Sequence, residues 1–549
     1  MKKIEFDQEA RDKLLSGVEK LNAAVSSTLG AKGRNVIFQI GNTYGVTKDG
    51  ATVAANVQLE DPIENAACQI VKEAAARTAR DAGDGTTTST VLAHNMIKMA
   101  MNRINTTKAN PMDLKRGIDA GVYDLVSQIE KMKIDVEDDS DDLYNIASIS
   151  SNGDPFIANL ISDIFKKVGR TGVVRMEHTQ MTDTMSHVVE GCQLNAGMLS
   201  PSFATKNSGE AEYENPLILI TDKNFTGSVQ DIVPAIEIAV AQKSPLLIVC
   251  GGMEGEALGS LVINKMKQKL PVVAVVAPEF GEKRMEILED IATITGGAVI
   301  SEQFGSSIEE MTLDGMGSAD HIIADKDFTT IIGRHGDDQG IQDRYEAIKA
   351  LKDSDMHKQE TWRLDRRIAS LTGGIGVIYV GGNSDTEMKD SYYRIEDALS
   401  ATKAALESGY VAGGGIAYMR ATNRLKDLKI SHAADIDRNH NSDFHIGYKL
   451  ALDSMFSPFI AIVTNCGAIP SEILHEVEQY TKIPIGAIDK SGALNENVGY
   501  NAANGEVVDM INKGIIDPVK VVVTAIKNAA SVAGMILTTN VVIYDDKQK

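Results

Sequence analysis

The chain has 549 residues, too many for one ordinary hydrophobic core, and at about 150 residues per domain it predicts three or four domains. Its hydrophobic content of 43% is that of a folded soluble protein, and we expect no membrane-spanning segment. The 55 Lys and Arg residues face 76 Asp and Glu, and the net charge of −21 disfavours general binding of nucleic acids or anionic membranes. Any site that binds a polyphosphate must therefore depend on groups in its immediate surroundings and not on the net charge of the protein.

The N-terminus and the cysteines indicate a reducing compartment. The first residues, Met1–Asp7, become polar too soon for a secretory signal peptide, so we expect a cytoplasmic protein. The four cysteines are scattered and never stand at metal-ligand spacing, which fits reduced structural thiols rather than a zinc site. They are Cys68, Cys192, Cys250 and Cys466.

Residues 8–130 predict mainly helices, because apolar residues recur there at helical spacing. The clearest runs are Ala66, Ile70, Val71, Ala74 and Ala75, and then Leu114, Ile118, Val122 and Val126.

The segment Gly83-Asp84-Gly85-Thr86-Thr87-Thr88 interrupts these helices and is the most informative short motif. Glycines let the backbone approach a ligand closely, and the first N–H groups of a helix favour anions. The threonines add hydroxyl donors, and Asp84 can bind a hard cation such as Mg²⁺. The segment predicts a phosphate-plus-metal site; the alternative is an ordinary capped helix start.

The middle of the chain, about 190–375, alternates apolar strands with helical segments, a pattern typical of an α/β domain. The predicted strands are Leu217–Ile220, Leu246–Val249 and Val272–Val276. Helical patterns return after about residue 408. Gly191 and Gly373-Gly374 mark the borders, where composition alone favours turns over hinges.

Two apolar stripes at helical spacing lie inside this middle region. The first consists of Val229, Ile232, Val233, Ile236 and Val240, and the second of Leu258, Leu261, Val262 and Ile263. The pattern by itself favours packing into a core over a binding surface.

Several further segments suit a nucleotide but are weak alone. Thr28–Arg34 is a glycine turn with basic residues that does not match the P-loop spacing. The others are Thr47–Gly50, Val411–Gly415, Tyr500–Ala503 and Asp517-Pro518. Asp397 lies in a predicted helical run, 394–405, where a carboxylate is usually solvated or close to the helix start.

Taken together and in order, these segments closely resemble the group I chaperonins, the ring-forming ATPases of the GroEL family. The resemblance spans nearly the whole chain. It rests on residues 28–36, 47–50, 82–88, 110–119, 254–258, 290–293, 396–399, 413–415, 500–503 and 529–534.

The resemblance implies a multidomain α and α/β fold. A mainly helical, discontinuous equatorial ATPase domain would comprise residues 1–131 and 408–549. A small α/β intermediate domain would comprise 132–189 and 376–407, and an α/β apical domain 190–375. By the same resemblance Gly191 and Gly374 fall at the apical hinge, which reverses the preference for turns.

The resemblance also assigns a nucleotide site, with ATP and Mg²⁺ as cofactors and K⁺ as a further candidate. Asp84 would bind Mg²⁺, Asp397 would orient or activate the attacking water, and Asp49 would assist near the γ-phosphate. The remaining nucleotide contacts would be Thr28, Leu29, Gly30, Ala31, Lys48, Gly85, Thr86, Thr87, Thr88, Gly414, Asn501, Ala502, Ala503 and Asp517.

Unfolded or misfolded proteins would bind to apolar helices of the apical domain. The implied client-binding residues are Met198, Phe203, Val233, Ile236, Leu258, Val262 and Ile263. Family members usually have aromatic residues at the positions of Met198 and Ser202. The implied assembly is a homo-oligomeric ring, with seven subunits expected, and a co-chaperonin is a candidate partner.

The sequence departs from the family pattern in places that concern assembly. Aligned on Asn465-Cys466-Gly467, the usual arginine and glutamate between rings are Ile460 and Ile469. Ala196 stands at the position where the family has an arginine between neighbouring subunits, opposite Asp385. We therefore expect weaker ring pairing than in a permanent double ring, as would suit a viral or duplicated copy; a viral copy would work in the host cytoplasm.

Smaller departures complete the comparison. Ala31 replaces the usual proline of the first nucleotide loop, insertions lie near 431–444 and 480–497, and the family's C-terminal Gly-Gly-Met repeats are missing. The leading function is an ATP-driven folding chamber. The alternatives are a holdase-type ring ATPase without full encapsulation, and a plain ATPase or phosphotransferase, for which no acceptor-binding constellation is found.

Overall fold

The computed structural model describes residues 2–41, 43–137, 141–151, 153–170, 172–179, 181–206, 208–227, 229–267, 270–353, 361–428, 442–481 and 496–545. Most of the predicted insertions, and the side chain of Asp385, lie outside these residues.

The helices are numbered in chain order. They are α1 (Asp7–Ser26), α2 (Gly50–Asn56), α3 (Pro62–Ala82), α4 (Thr86–Thr107), α5 (Pro111–Lys131), α6 (Asp142–Ser150), α7 (Pro155–Val168), α8 (Val233–Gln242), α9 (Gly255–Met266), α10 (Glu282–Thr295), α11 (Asp338–Asp353), α12 (Thr361–Thr372), α13 (Asp385–Ser408), α14 (Ile416–Leu428), α15 (Ser442–Ser454), α16 (Ser457–Asn465), α17 (Pro470–Thr481) and α18 (Val519–Leu537).

The strands are numbered in the same way. They are β1 (Lys2–Phe6), β2 (Val36–Ile40), β3 (Thr43–Thr47), β4 (Val173–His178), β5 (Met185–Leu194), β6 (Ala211–Glu214), β7 (Leu217–Thr221), β8 (Asn224–Phe225), β9 (Leu246–Cys250), β10 (Gly252–Met253), β11 (Val272–Val276), β12 (Val299–Ile300), β13 (Gly317–Ser318), β14 (His321–Ala324), β15 (Thr329–Ile332), β16 (Gly374–Val380), β17 (Tyr410–Ala412), β18 (Val498–Asn501), β19 (Glu506–Asp509), β20 (Ile516–Pro518) and β21 (Val541–Asp545).

The chain divides into two compact units. Unit 1 joins the two ends of the chain, Met1–Ser162 and Gly382–Lys549, and unit 2 is the continuous stretch Asp163–Gly381. The multidomain α and α/β class is confirmed, since unit 1 is mainly helical and unit 2 carries the larger sheets. The three predicted domain boundaries stay a prediction, because chain contacts divide the molecule in two.

The main helical core of unit 1 is built from both ends of the chain. α18 is apolar on most of its faces and packs against α3, α4 and α5 from the N-terminal segment. α5 also packs against α15, and the two helices cross with their backbones in contact. A Cβ on Gly117 would lie 2.0 Å from the carbonyl oxygen of Phe444, and one on Gly447 would lie 2.1 Å from that of Leu114. Only glycine permits this crossing.

Small antiparallel pairs complete unit 1. β1 pairs with β21, so the chain termini meet, and β2 pairs with β3 in a hairpin within a region that the sequence predicts as mainly helical. β17 pairs with β20 and β18 with β19. These strands have only three to five residues, too few for a period-2 pattern to stand out.

Unit 2 contains the predicted α/β sheet. The three strands expected from the sequence form β7, β9 and β11, which pair in parallel in the order β11-β9-β7-β12. Helices α8, α9 and α10 alternate with them, as in βαβ units. A second sheet of six strands has the order β4-β16-β5-β15-β14-β6.

The two border glycines lie inside strands of the six-stranded sheet. Gly191 on β5 pairs with Ile332, and Gly374 on β16 pairs with Glu190. A Cβ on Gly191 would lie 2.3 Å from the carbonyl oxygen of Ile331. Close packing therefore explains this glycine in the described conformation, and the hinge stays a prediction.

Within the described residues, two helical stretches are long and apolar enough to cross a membrane. They are Ser442–Asn465 and Val519–Leu537. Length and composition alone are weak evidence for a membrane span, because core helices pass the same test, so the expectation of no membrane-spanning segment stays a prediction. Of the two apolar windows, 61% and 67% are buried inside the protein, as in core helices of a folded domain.

The cysteines agree with the expected structural thiols. Cys68, Cys192 and Cys250 are buried, Cys466 is partly buried, and all four are free. Burial raises the pKa of both Cys192 and Cys250 to about 12, so these thiols are poor nucleophiles at neutral pH.

Candidate functional site

The glycine–threonine segment forms a sharp turn between α3 and α4. Gly83 ends α3 with φ 80°, and Gly85 precedes α4 with φ 93°, a left-handed conformation that favours glycine. Space also requires glycine at these positions. A Cβ on Gly83 would lie 2.3 Å from Cβ of Ser400, and one on Gly85 would lie 2.9 Å from a methyl of Val521. The turn is therefore in close contact with α13 and α18.

The N-terminus of α4 carries no side-chain cap, whereas three neighbouring helices do. Asp49 caps α2, Asp61 caps α3 and Asn110 caps α5, in each case by accepting backbone N–H groups. At α4 the preceding residue is Gly85, and Asp84 accepts a hydrogen bond from the N–H of Gly85. The first N–H groups of α4 thus remain available for an anion.

The other N-terminal loops meet this turn. A Cβ on Gly50 would lie 1.9 Å from the hydroxyl oxygen of Thr87 and 3.2 Å from that of Thr28. The half-buried Lys48 donates from Nζ to the carbonyl oxygen of Ala31 at 3.4 Å, and burial lowers its pKa. The sequence-predicted residues of the first three loops are therefore brought together.

Four carboxylates converge here from both ends of the chain. Burial raises the pKa of Asp84, and the nearby Asp49 adds to this effect. Burial, with Asp84 and Asp49, raises the pKa of Asp397 to about 9, and burial with Asp84 raises that of Asp517 to about 7. All four side chains stay partly accessible to water. They are therefore largely enclosed by protein while still in contact with solvent.

The negative charge of the carboxylates suits a bound cation, but the carboxylates do not form a complete set of metal ligands. Among the described residues, no group of three or more His, Cys, Asp or Glu side chains is placed to hold a metal ion. Mg²⁺ commonly takes only one or two carboxylates and completes its shell with phosphate oxygens and water. These carboxylates therefore fit a cation that completes its shell with other oxygen ligands, and Asp84 stays the predicted protein ligand.

Asp397 lies in the middle of α13, far from the helix start at Asp385. The interpretation as an N-terminal helix carboxylate is therefore wrong, because the helix begins nine residues before the predicted run. Arg394, one turn earlier, donates to Asp154 at 2.8 Å and lies 3.0 Å from Asp390. These contacts hold the part of α13 that carries Asp397.

The remaining predicted contacts come from the C-terminal segment. Asp517 pairs with Val411 across β17 and β20, and a Cβ on Gly413 would lie 3.1 Å from the Asp517 carboxylate. Gly414 has φ 66°. After β18, Asn501 accepts a hydrogen bond from the N–H of Ala503 at 3.0 Å, and the side chain of Ala502 is buried.

Sequence reasoning missed the residues that hold these segments together. Ser400 packs against Gly83, and Asn465 donates to two carbonyl oxygens beside the Thr28–Ala31 loop. Glu396, whose pKa is raised by burial and by Asp49, is a fifth acidic neighbour. The only sequence signal was the segment Asn465-Cys466-Gly467, which served as an alignment marker.

We expect the nucleotide-free protein to lose stability as the pH rises from about 4 to about 9. The native pKa of Asp397 is about 9, whereas an unfolded aspartate titrates near 3.9. Between these values the native state keeps a proton that the unfolded chain has released, so the contribution is complete at low pH and is lost as the pH rises. Asp397→Asn should flatten this slope and raise the free energy of unfolding at pH 8 by on the order of 1–3 kcal/mol.

Chemical denaturation in EDTA at several pH values measures this effect. Glu407→Gln is a matched control, because Glu407 is an exposed carboxylate on the same helix. An Asp397→Asn protein with the slope of the parent would contradict the expected titration.

The two apolar stripes of unit 2 each have a buried and an exposed side. Ile232, Ala235 and Ala239 are buried, while Val240 is 55% exposed. On α9, Leu261 is buried and Ile263 is 52% exposed. Of the predicted client-binding residues, Met198, Val233, Ile236, Leu258 and Val262 are partly buried.

Phe203 does not fit the predicted client surface. Its side chain is fully buried in the core of unit 2, in a short 3₁₀ turn, Pro201–Phe203. Lys265 of α9 donates to the carbonyl oxygens of Ser202 and Ala204, which holds this turn against the helix. We therefore correct the sequence prediction and leave Phe203 out of the client surface.

Two of the three substituted contact positions are exposed, and the third is partly buried. Ile460 on α16 is 43% exposed and Ile469 is 55% exposed, so both are surface residues. Ala196 is partly buried, and its carbonyl oxygen accepts a hydrogen bond from Thr329.

Comparison with known proteins agrees with this arrangement. The model of the TCP-1/cpn60 chaperonin family matches residues 21–248 and 265–547. Among solved structures, the chain is similar to the chaperonin gp146 from the bacteriophage EL 2 (Pseudomonas aeruginosa), crystallised in the presence of ATP-BeFx. Crystal form II matches with 20% identity and a TM-score of 0.74, and crystal form I with 21% and 0.66; each match covers 99% of both chains.

Proposed function

Because the chain belongs to the TCP-1/cpn60 chaperonin family, we propose that it is an ATP-driven chaperonin that binds non-native proteins and promotes their folding in a ring cavity. One observation carries the proposal: the uncapped start of α4 meets four carboxylates drawn from both ends of the chain. The exposed apolar side chains of α8 and α9 support the proposed binding of client proteins.

The nucleotide would be held mainly by backbone groups. The α4 N-terminus and the Thr86–Thr88 hydroxyls would bind the phosphates, with Lys48 nearby. Thr28–Ala31 would hold one side of the nucleotide, and Gly414, Asn501–Ala503 and Asp517 would bound the base and ribose. When bound through Asp84, Mg²⁺ supplies neutralisation of phosphate charge, which phosphoryl transfer needs more than covalent chemistry.

Asp397 would accept a hydrogen bond from the attacking water and hold it in position. In the nucleotide-free protein its raised pKa of about 9 keeps this carboxyl protonated near neutral pH, so it would become an acceptor only when nearby positive charge lowers that pKa. Both carboxylate oxygens of Asp49 accept hydrogen bonds from backbone N–H groups of α2. One bond comes from Ala51 at 3.0 Å and the other from Thr52 at 2.7 Å. Asp49 would therefore act as a fixed negative charge beside the site rather than as a mobile base.

The client surface would be the outer sides of α8 and α9. Exposed apolar patches mark binding sites for other proteins, and non-directional contacts suit many different clients. The sulfur of Met198 gives this surface a more adaptable edge than the aromatic residues usual at its position. The protein would act in the cytoplasm, that of the host if the gene is viral.

The assembly would be a homo-oligomeric ring of seven subunits, with a co-chaperonin as a candidate partner and K⁺ as a candidate cofactor. The exposed Ile460 and Ile469 replace charged ring-to-ring partners, and apolar replacements change partner choice. We expect rings that pair less tightly than a permanent double ring. Native mass spectrometry with and without ATP checks this, and a double ring in every state would refute it.

Refolding of a denatured client tests the proposed function. Recovery of client activity should require ATP, and the test should be run with and without a co-chaperonin. A protein that suppresses aggregation but gives no ATP-dependent recovery would be a holdase. A protein with neither effect would contradict the chaperonin proposal itself.

A further inference from the structure

The last turn of α16 contacts both sides of the proposed nucleotide site. The side-chain amide of Asn465 donates to the carbonyl oxygens of Ser26 at 2.8 Å and Leu29 at 2.9 Å. These two carbonyls flank the start of the Thr28–Ala31 loop. Asn465 is partly buried, and both of its amide hydrogens have an acceptor.

The next residue reaches the opposite side. The thiol of Cys466 lies 3.5 Å from the carbonyl oxygen of Ala502, at hydrogen-bonding distance for sulfur. Ile462, one turn earlier, packs against Gly30, where a Cβ would lie 3.1 Å from one of its methyls. A single helical turn thus contacts the first loop and the Asn501–Ala503 segment, which are more than 400 residues apart in sequence.

The first loop needs such an external support. Its internal bonds close tight turns, from the N–H of Gly33 to the carbonyl of Gly30 and from that of Arg34 to the carbonyl of Ser27. These bonds fix the shape of the loop but do not fix its distance from the C-terminal segment. Gly30 has φ 85°, and the loop has alanine at position 31 in place of the proline that would stiffen it.

We infer that Asn465, assisted by Cys466, is a positioning residue that sets the spacing between the two sides of the nucleotide site. This inference rests on the proposed function, since the two sides form one site only if a nucleotide binds there. Asn465 does not touch the reacting phosphate, and its amide acts through the loop that it holds. Neither side supplies the carboxylate that would act on the attacking water, so we expect the effect to fall on nucleotide binding rather than on the chemical step.

Removal of the amide should therefore weaken ATP binding and leave the chemical step unchanged. We expect Asn465→Ala to raise the KM for ATP and the Kd of a fluorescent ADP analogue about tenfold, with kcat within about twofold of the parent. Asn465→Asp should be worse, because a carboxylate of the same shape cannot donate to two carbonyls and is repelled by them. Cys466→Ala should give a smaller rise of about two- to threefold, and Cys466→Ser, which keeps a donor, should restore most of it.

Thr464→Ala is the matched control. Thr464 is exposed on the same turn, and among the described residues its hydroxyl bonds only to the carbonyl of Ile460 of its own helix, so its loss should leave KM and Kd unchanged. The assays use the assembled full-length protein at saturating Mg²⁺, with melting temperatures measured in parallel. The Cys466 pair keeps the test decisive if Asn465→Ala does not fold.

The outcomes separate the two proposals. Asn465 variants that melt earlier but keep the parent KM would overturn the positioning role and leave the ATPase proposal standing. A lower kcat at constant KM would also overturn it. A parent protein that neither binds nor hydrolyses ATP would remove the proposed function and this inference with it.

Discussion

Replacing Asp397 with alanine should reduce the steady-state turnover of ATP at least about 100-fold while ATP binding stays within a few fold of the parent. Asp397 is placed beside Asp84 and Asp49 by α13, and it is held there by the Arg394–Asp154 contact one turn away. The phosphate turn and the first loop keep all their contacts when this carboxylate is lost. The expected result is thus a protein that binds nucleotide but hydrolyses it very slowly.

Steady-state hydrolysis and equilibrium binding of a fluorescent nucleotide measure the two quantities separately. Glu407→Ala is the matched control, because Glu407 is an exposed carboxylate near the C-terminal end of the same helix. We expect that control to keep most of the turnover. Undiminished hydrolysis by Asp397→Ala would remove the catalytic assignment, and loss of both binding and hydrolysis would show that Asp397 serves binding instead.

Replacing Val240 and Ile263 together with serine should weaken capture of a non-native client at least tenfold and leave the ATPase unchanged. Both side chains are more than half exposed, so unit 2 does not need them to fold. Burial of one such side chain against a client contributes about 1.5–3 kcal/mol. Loss of two therefore exceeds a tenfold change in affinity, since each factor of ten corresponds to about 1.4 kcal/mol.

Binding of a chemically denatured client, measured by suppression of its aggregation, checks this expectation. Leu313→Ser is a suitable control, since Leu313 is 42% exposed in unit 2 but lies on neither α8 nor α9. Equal losses in the double variant and the control would mean that clients bind without preference for the proposed surface.

The parts of the fold that were predictable have strong local patterns. The strands β7, β9 and β11 are continuous apolar runs, each preceded by a proline, and the apolar stripes in α3 and α5 repeat over several turns. The hairpin β2–β3 was not predicted, because its large side chains Ile37, Tyr44 and Val46 are exposed and follow no core-facing pattern. Register and pairing of such short strands depend on partners that lie far away in sequence.

The candidate site likewise has a part that the sequence predicts and a part that it does not. Asp84 and its glycines were found from a contiguous motif, because loop geometry and ligand chemistry are both local there. Asn465 and Ser400 act through contacts with backbone more than 300 residues away, and such contacts leave no spacing signal in one sequence. Phe203 was assigned to a surface because burial depends on neighbouring elements, here α9.

The crossing of α5 and α15 at Gly117 and Gly447 has a consequence for biosynthesis. Unit 2 is continuous in sequence and emerges from the ribosome complete once residue 381 is made. The N-terminal helices must wait for the segment from 382 to 549, which is 168 residues long and takes about 8–34 s to make at roughly 5–20 residues per second. During that time their apolar faces lack the partners that will cover them. During its own synthesis, the proposed chaperonin would therefore itself depend on other chaperones.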